Sequence, residues 1–307
     1  MSTQFSLPVR LNPVINPWLS NHVFQGPKGP SAILPGVAFL QMAADGAASH
    51  CPFIPVIKLQ NIRFKRLVSV PLDQRKTLFL HHEIDETPEG IRDRVQLKDP
   101  EPSEKEPYAE AEVILNTALP VYPSHGNSGL LRRVPQEPHV LRGRLIYESG
   151  YFENKGFMAM ACAMSVVNPQ LALLNFSPFI SADLQAQQIA CGSVLPLALD
   201  MGFEGAGWLD LWHSFQAKET IDGLRSPSFV RSVTYYRPLL SRELQRLRVQ
   251  VERETPNASE YSMIFFLERS EAPVEVVALV EGFKTVLWER AWGSKPKPTR
   301  NQFFGIE

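Results

Sequence analysis

The chain carries a histidine in the stretch His22-Val-Phe-Gln-Gly26, shortly before Ile-Leu-Pro35-Gly36-Val-Ala-Phe-Leu-Gln-Met-Ala-Ala. An imidazole can take a proton near neutral pH. Pro35 suits the first position of a helix and the run behind it is rich in helix formers, so His22 is expected on a loop that feeds directly into a helix. The exposed N–H groups at a helix start can stabilise negative charge on a neighbouring carbonyl, and a base beside them could create that charge by removing a proton. A single histidine near a helix start could equally be a structural hydrogen-bonding residue, so the chemistry needs a second group.

That group comes from an internal repeat. Leu34-Pro35 is matched by Leu195-Pro196, 161 residues later, again heading an apolar run: Leu195-Pro-Leu-Ala-Leu-Asp200-Met-Gly-Phe-Glu204. Phe64-Lys-Arg66-Leu-Val after the first expected helix resembles Tyr236-Arg237-Pro-Leu-Leu after the second. Thr77-Leu-Phe-Leu-His-His and Arg246-Leu-Arg-Val-Gln-Val then occupy the same place. One unit, a buried helix wrapped by an antiparallel sheet, is expected twice. Joined edge to edge, two such units form one continuous sheet and set both helix starts near a shared interface. Asp200, one turn into the second helix, could then approach His22, although the helix dipole alone also accounts for a first-turn carboxylate. Glu204 falls four residues on, on the same helical face. Two carboxylates held close tend to share a proton, and a protonated carboxyl is what a general acid needs; the alternative is that Glu204 points to solvent or to a basic neighbour.

The positioning elements follow from the local patterns. The first helix is expected over about Gly36 to Ala48, apolar on most sides and therefore buried. Strands are expected at Val56 to Phe64, Arg66 to Val70 and Thr77 to Ile84. Glu86 to Pro107, charged and rich in proline, reads as a long excursion, and Tyr108-Ala-Glu-Ala-Glu-Val-Ile-Leu as a half-wet strand. Pro27-Lys-Gly-Pro-Ser reads as a loop at the edge of the site. In the second half a strand-like run spans Phe157 to Val167. Further strands are expected at Val230 to Tyr236, Gln245 to Glu252, Tyr261 to Glu268 and Val274 to Leu287. The domain reading is an N-terminal half at 1–118, a linker at 119–139, a C-terminal half at 140–293 and a flexible tail at 294–307.

Bulk properties exclude several functions. The 307 residues include 44% hydrophobic and 21% charged types, enough for a sizeable core. With 31 basic and 32 acidic residues there is no global field to draw in nucleic acid or an anionic membrane. Cys51, Cys162 and Cys191 are too widely spaced for a zinc site or a disulfide framework. No targeting segment and no run of about eighteen apolar residues is present, so a cytoplasmic protein is expected. No P-loop or dinucleotide fingerprint occurs. The remaining histidines show no ligand spacing, and the tryptophans lack the interleaved basic residues of a base-stacking platform.

From about Leu11 to Trp292 the chain resembles the dehydratase domains of polyketide synthases. These are double hot-dog folds, of α+β class, with a catalytic His in an HxxxGxxxxP motif and a catalytic Asp in a DxxxQ or DxxxH motif. His22 and Gly26 match the first motif and Pro35-Gly36 its end, Leu195-Pro-Leu-Ala-Leu-Asp200 resembles the segment before the second, and Val280-Glu-Gly-Phe resembles the closing strand. Three departures stand out. Eight residues separate Gly26 from Pro35 where the motif has four, Glu204 stands where the family has Gln or His, and Gly150-Tyr-Phe-Glu-Asn-Lys-Gly-Phe replaces the family's tunnel-lining Tyr-Gly-Pro segment.

The resemblance implies dehydration of a 3-hydroxyacyl thioester delivered on the phosphopantetheine arm of an acyl carrier protein. His22 would be the base and Asp200 the acid, and the spacing of Glu204 from Asp200, not the resemblance, adds Glu204 to the candidate catalytic residues. Gly26, Pro35, Gly36, Tyr151 and Phe157 would meet the substrate. No metal or nucleotide cofactor is implied. The expected partners are the carrier protein and other polyketide synthase enzymes, with a homodimer consistent with the resemblance. Related double hot-dog domains isomerise double bonds, close pyran rings or direct aldol cyclisation as product-template domains do, so an isomerase or cyclase stays open. A catalytically silent scaffold is the reading of another class, and it requires neither His22 nor Asp200. The chain begins at Met1 and ends soon after the fold, which fits a free-standing enzyme acting in trans as well as an excised domain.

Overall fold

A computed structural model describes residues 2–20, 22–26, 29–100, 106–122, 139–142, 161–168, 171–176, 192–216, 223–255, 259–268 and 274–289. Fifteen strands and three α-helices are formed by these residues, and twelve of the strands make one antiparallel sheet. In the first unit β1 (Thr3–Leu11), β6 (Lys76–Thr87), β7 (Gly90–Lys98), β8 (Ala109–Leu115) and β4 (Val56–Phe64) lie side by side in that order. The second continues with β12 (Gly223–Tyr235), β15 (Glu275–Glu289), β14 (Glu260–Leu267), β13 (Leu247–Arg253), β11 (Leu171–Phe176), β10 (Ala161–Asn168) and β9 (His139–Arg142). The units join where β4 pairs with β12, with Ile62 opposite Val230 and Leu59 opposite Val233. Read outward from that seam, β8, β7 and β6 correspond to β15, β14 and β13, which is the expected repeat and the double hot-dog architecture.

Each unit wraps a helix that is apolar nearly all round. Val37, Ala38, Phe39, Leu40, Ala43, Ala44 and Ala47 of α2 (Gly36–His50) are buried. So are Leu195, Leu199, Met201, Phe203, Trp208 and Leu209 of α3 (Leu195–Gln216). Such helices are stable only inside a core. The two helices also pack against each other. On the sheet side of α3, glycines permit close approach of the strands: a Cβ on Gly202 would lie 2.6 Å from the sulfur of Met263 in β14, and one on Gly205 2.7 Å from Leu174 in β11.

Three expectations are corrected. The excursion expected over Glu86 to Pro107 contains β7, whose residues Asp93, Val95 and Leu97 alternate into the core. The buried Asp93 breaks the apolar alternation that would have revealed it, and it is tolerated there because His82 hydrogen-bonds it at 2.7 Å. The strand expected over Arg66 to Val70 is shortened to β5 (Ser69–Pro71), since the N–H groups of Lys65 and Arg66 turn to the carbonyl of Tyr108. The insert read as a loop is largely β3 (Gly29–Ile33), paired with β2 (Val23–Gly26) and β5 in a separate three-stranded sheet. Most of the expected linker 119–139 and all of the tail 294–307 lie outside the described residues.

Candidate active site

His22 follows the short helix α1 (Pro17–Ser20) and precedes β2. It is not on a loop entering α2, as the spacing suggests. The β2–β3 hairpin intervenes and brings the chain back, so that Ile33 lies beside His22 and α2 begins three residues later. The Ile33 N–H donates to the His22 carbonyl at 2.9 Å. The His22 ring approaches the Ile33 carbonyl oxygen through Nδ1, also at 2.9 Å. A carbonyl oxygen only accepts, so Nδ1 carries the proton and Nε2 presents the lone pair. Burial pushes the His22 pKa below the ordinary imidazole value, partly offset by this hydrogen bond. The ring is therefore neutral at neutral pH, with Nε2 as its basic atom.

Pro35 is the residue just before the helix, extended at φ −62° and ψ 142°, rather than its first turn; its carbonyl accepts the N–H of Ala38 at 3.0 Å. Gly36 is the first helical residue. A Cβ there would stand 2.7 Å from the Phe64 ring, so glycine lets that ring close over the helix start. The amides of Gly36 and Val37 have no intrahelical acceptor by position. Gly26 pairs with Gly29 at the far end of the hairpin. Three extended residues separate it from His22, so that four steps of ~3.3 Å carry the chain about 13 Å. The residues that the family motif lacks thus add rungs to a hairpin, and Gly26 shapes its tip rather than the surroundings of the His22 ring.

Asp200 lies in the second turn of α3, not the first. Its Oδ2 is shielded from solvent and has no hydrogen-bond partner among the described residues. A carboxylate oxygen shielded from water without a donor is costly, so desolvation raises the Asp200 pKa to about 7. At neutral pH a substantial part of it holds a proton. Glu204, one turn on, is buried at 4% exposure, which removes the alternative that it points to solvent. Both carboxyls therefore sit on the inward side of α3. Tyr151 and Phe157 lie outside the described residues.

Two features were not legible in the sequence. The main-chain carbonyl that fixes the His22 tautomer carries no residue-type signal. The link between the helices does involve a side chain: Gln41 of α2 donates through Nε2 to the carbonyl of Ser193, just ahead of α3, at 3.3 Å. An isolated glutamine within an apolar helical run was the available sign.

Among the described residues no group of three His, Cys, Asp or Glu side chains could hold a metal ion, and no helix is long and apolar enough to cross a membrane.

No family model and no curated protein matches the chain. Solved structures do. A trans-AT polyketide synthase dehydratase domain from Brevibacillus brevis aligns over 94% of both chains, with 16% identity and a TM-score of 0.65. The dehydratase domain from the CurF module of curacin polyketide synthase aligns over 93% of this chain and 94% of its own, with 14% identity and a TM-score of 0.68. An inactive mutant of the CurK dehydratase, with His replaced by Phe, aligns over 93% of both chains at 14% identity and a TM-score of 0.65; an inactive Asp→Asn mutant of the same domain also matches. These likenesses establish the double hot-dog fold of the chain.

Proposed function

We propose that this protein is a dehydratase that removes water from a 3-hydroxyacyl thioester carried on the phosphopantetheine arm of an acyl carrier protein. Nε2 of His22 takes the α-proton, and the electrons of that C–H bond form the new double bond. The β C–O bond breaks, and the hydroxyl leaves as water with the proton held by Asp200. Amides at the start of α2 polarise the thioester carbonyl while charge builds on it. The proton on His22 then returns to Asp200 through solvent, restoring both groups.

The observation that carries this reading is the pairing of protonation states. A part-buried histidine whose Nδ1 is bonded to a main-chain carbonyl belongs to the unit of α2, and a carboxyl with one oxygen shielded from solvent, its pKa raised to about 7, belongs to α3, packed against it. Environments that push two titratable groups apart in this way assign one as base and the other as acid. The inactive His and Asp mutants of a dehydratase with the same fold point in the same direction. Glu204 shares the proton of Asp200 and keeps it in place near neutral pH.

A second reading keeps both residues but ends in isomerisation or ring closure of a polyketide chain. The lengthened β2–β3 hairpin favours it, because its far end at Gly26 and Gly29 departs from the motif while its near end still holds the His22 ring through Ile33.

Mass spectrometry of a carrier-bound 3-hydroxyacyl substrate, incubated with wild type and with His22→Ala, tests the assignment. Loss of one water with wild type only is the expected result. A constant mass with altered chromatographic retention would replace dehydration by isomerisation or cyclisation, and no change of any kind would leave the scaffold reading.

A further inference from the structure

Gln41 is a costly residue for its place. It is 6% exposed, on a helix whose other buried positions are Val, Ala, Phe, Leu and Gly. A buried amide loses its water and stabilises the fold no better than an apolar residue of equal size unless its hydrogen bonds are made. Its Nε2 donates to Oδ1 of Asp45, one turn on in the same helix, at 3.1 Å, and across to the carbonyl of Ser193 at 3.3 Å. Ser193 is itself a junction. Its hydroxyl oxygen accepts the N–H of Leu195, at the start of α3, at 3.2 Å and the N–H of Leu239 at 3.0 Å. Val194 returns a bond to the carbonyl of Leu239 at 2.9 Å.

We propose that Gln41 is a positioning residue that fixes the start of α3 against α2, and so sets where the Asp200 carboxyl stands relative to His22. The inference rests on the dehydratase reading for its effect on turnover, but not for the geometry. One chain of contacts runs from the His22 ring through Ile33 into α2. A second runs from α2 through Gln41 and Ser193 into α3, where Asp200 follows seven residues after Ser193. Apolar packing between the helices is non-directional and permits sliding, whereas an amide-to-carbonyl hydrogen bond specifies one register. A displacement of about 1 Å at a reacting group can cost about 100-fold in rate.

The test compares wild type with Gln41→Met, which keeps the volume of the side chain and removes its donor. Two quantities are read: kcat and KM for the carrier-bound substrate, and the titration of the Asp200 carboxyl by carbon NMR of aspartate-labelled protein. Glu204 on the same helical face, Asp45 on α2 and His22 beside its start are unchanged in the variant, so movement of the titration reports movement of Asp200 itself. The expected result is a kcat lower by about 10- to 100-fold with KM within about twofold, together with an Asp200 titration displaced toward the ordinary carboxylate range. Wild-type kcat with a wild-type titration overturns the inference. So does a fall in kcat with the titration unmoved, because the loss then arises elsewhere. If wild type dehydrates nothing, the dehydratase reading fails and the titration alone decides the role of Gln41. Should Gln41→Met fail to fold, Gln41→Leu removes the same donor with a different shape and leaves every charge in place. The same displacement supports the inference, and an unchanged titration overturns it.

Discussion

Nδ1 of His22 donates to the carbonyl oxygen of Ile33 across 2.9 Å, while the Ile33 N–H donates back to the His22 carbonyl. A residue eleven positions along the chain thereby decides which nitrogen of the ring is basic. Nitrogen NMR of the protein at neutral pH should show His22 as a neutral ring with Nδ1 protonated and Nε2 bare. A ring protonated on Nε2 instead would remove it as the base.

The pH dependence of kcat/KM should be bell-shaped and narrow. His22 must be neutral to act, and its lowered pKa sets the acidic limb below the ordinary imidazole value. Asp200 must be protonated to act, so activity falls on the basic side around pH 7, where its carboxyl ionises. Removing either residue should cost about 100- to 10,000-fold, the usual scale of a positioned acid or base. With Glu204→Gln the basic limb should move down, because the second carboxyl no longer helps retain the proton. An unmoved limb would end the shared-proton role.

Asp200→Asn should be inactive yet more stable, and increasingly so at higher pH. The folded pKa near 7 lies above the unfolded value of 3.8. Below 3.8 the acid is protonated in both states. Between about 4 and 7 the unfolded chain ionises freely and the folded one does not, so this group costs the wild type stability as pH rises. The Tm of the variant should therefore exceed that of wild type by more at pH 8 than at pH 4.5, at about 2–4 °C per kcal/mol. An equal difference at both pH values would show that Asp200 is not desolvated.

The far end of α3 is pinned by a buried polar network, and breaking it should destabilise without altering the pH profile. Arg253 donates to Asp210 at 2.6 Å and to the Tyr261 hydroxyl at 3.0 Å, Tyr261 donates to Asp210, and Thr285 reaches the other Asp210 oxygen at 3.0 Å. Replacing Arg253 by Met strands Asp210 in the core, a loss of about 3–5 kcal/mol in denaturant unfolding. Tyr261→Phe removes a single hydroxyl and should cost about 1 kcal/mol. A loss below about 1 kcal/mol for Arg253→Met would mean that the network is not closed in solution.

Gly36→Ala separates packing from catalysis at the head of α2. The added methyl meets the Phe64 ring at 2.7 Å, and overpacking of this kind costs about 1–3 kcal/mol. Since the glycine is there for the ring, Gly36→Ala with Phe64→Leu should recover most of that stability. Failure of the second change to recover it would place the role of Gly36 elsewhere.

The sequence by itself determined the elements and their repetition. The apolar runs behind Leu34-Pro35 and Leu195-Pro196 could only be buried helices, and the alternating strands after each could only wrap them, because hydrophobic periodicity is a local property. It also singled out His22, Asp200 and Glu204, whose types and spacing carry chemistry. It misread Gly90 to Lys98, where a buried Asp93 paired to His82 interrupts the alternation, and it placed His22 on a loop because a strand hairpin written in Pro and Gly reads as a turn. Only the tertiary structure decided the tautomer of His22, the desolvation of Asp200, the burial of Glu204 and the link from Gln41 to Ser193. Each of these depends on a main-chain atom or on exclusion of water by residues distant in the chain. Hydrogen bonding to a carbonyl and loss of solvent are properties of the assembled fold, and neither is encoded in any single stretch of residues.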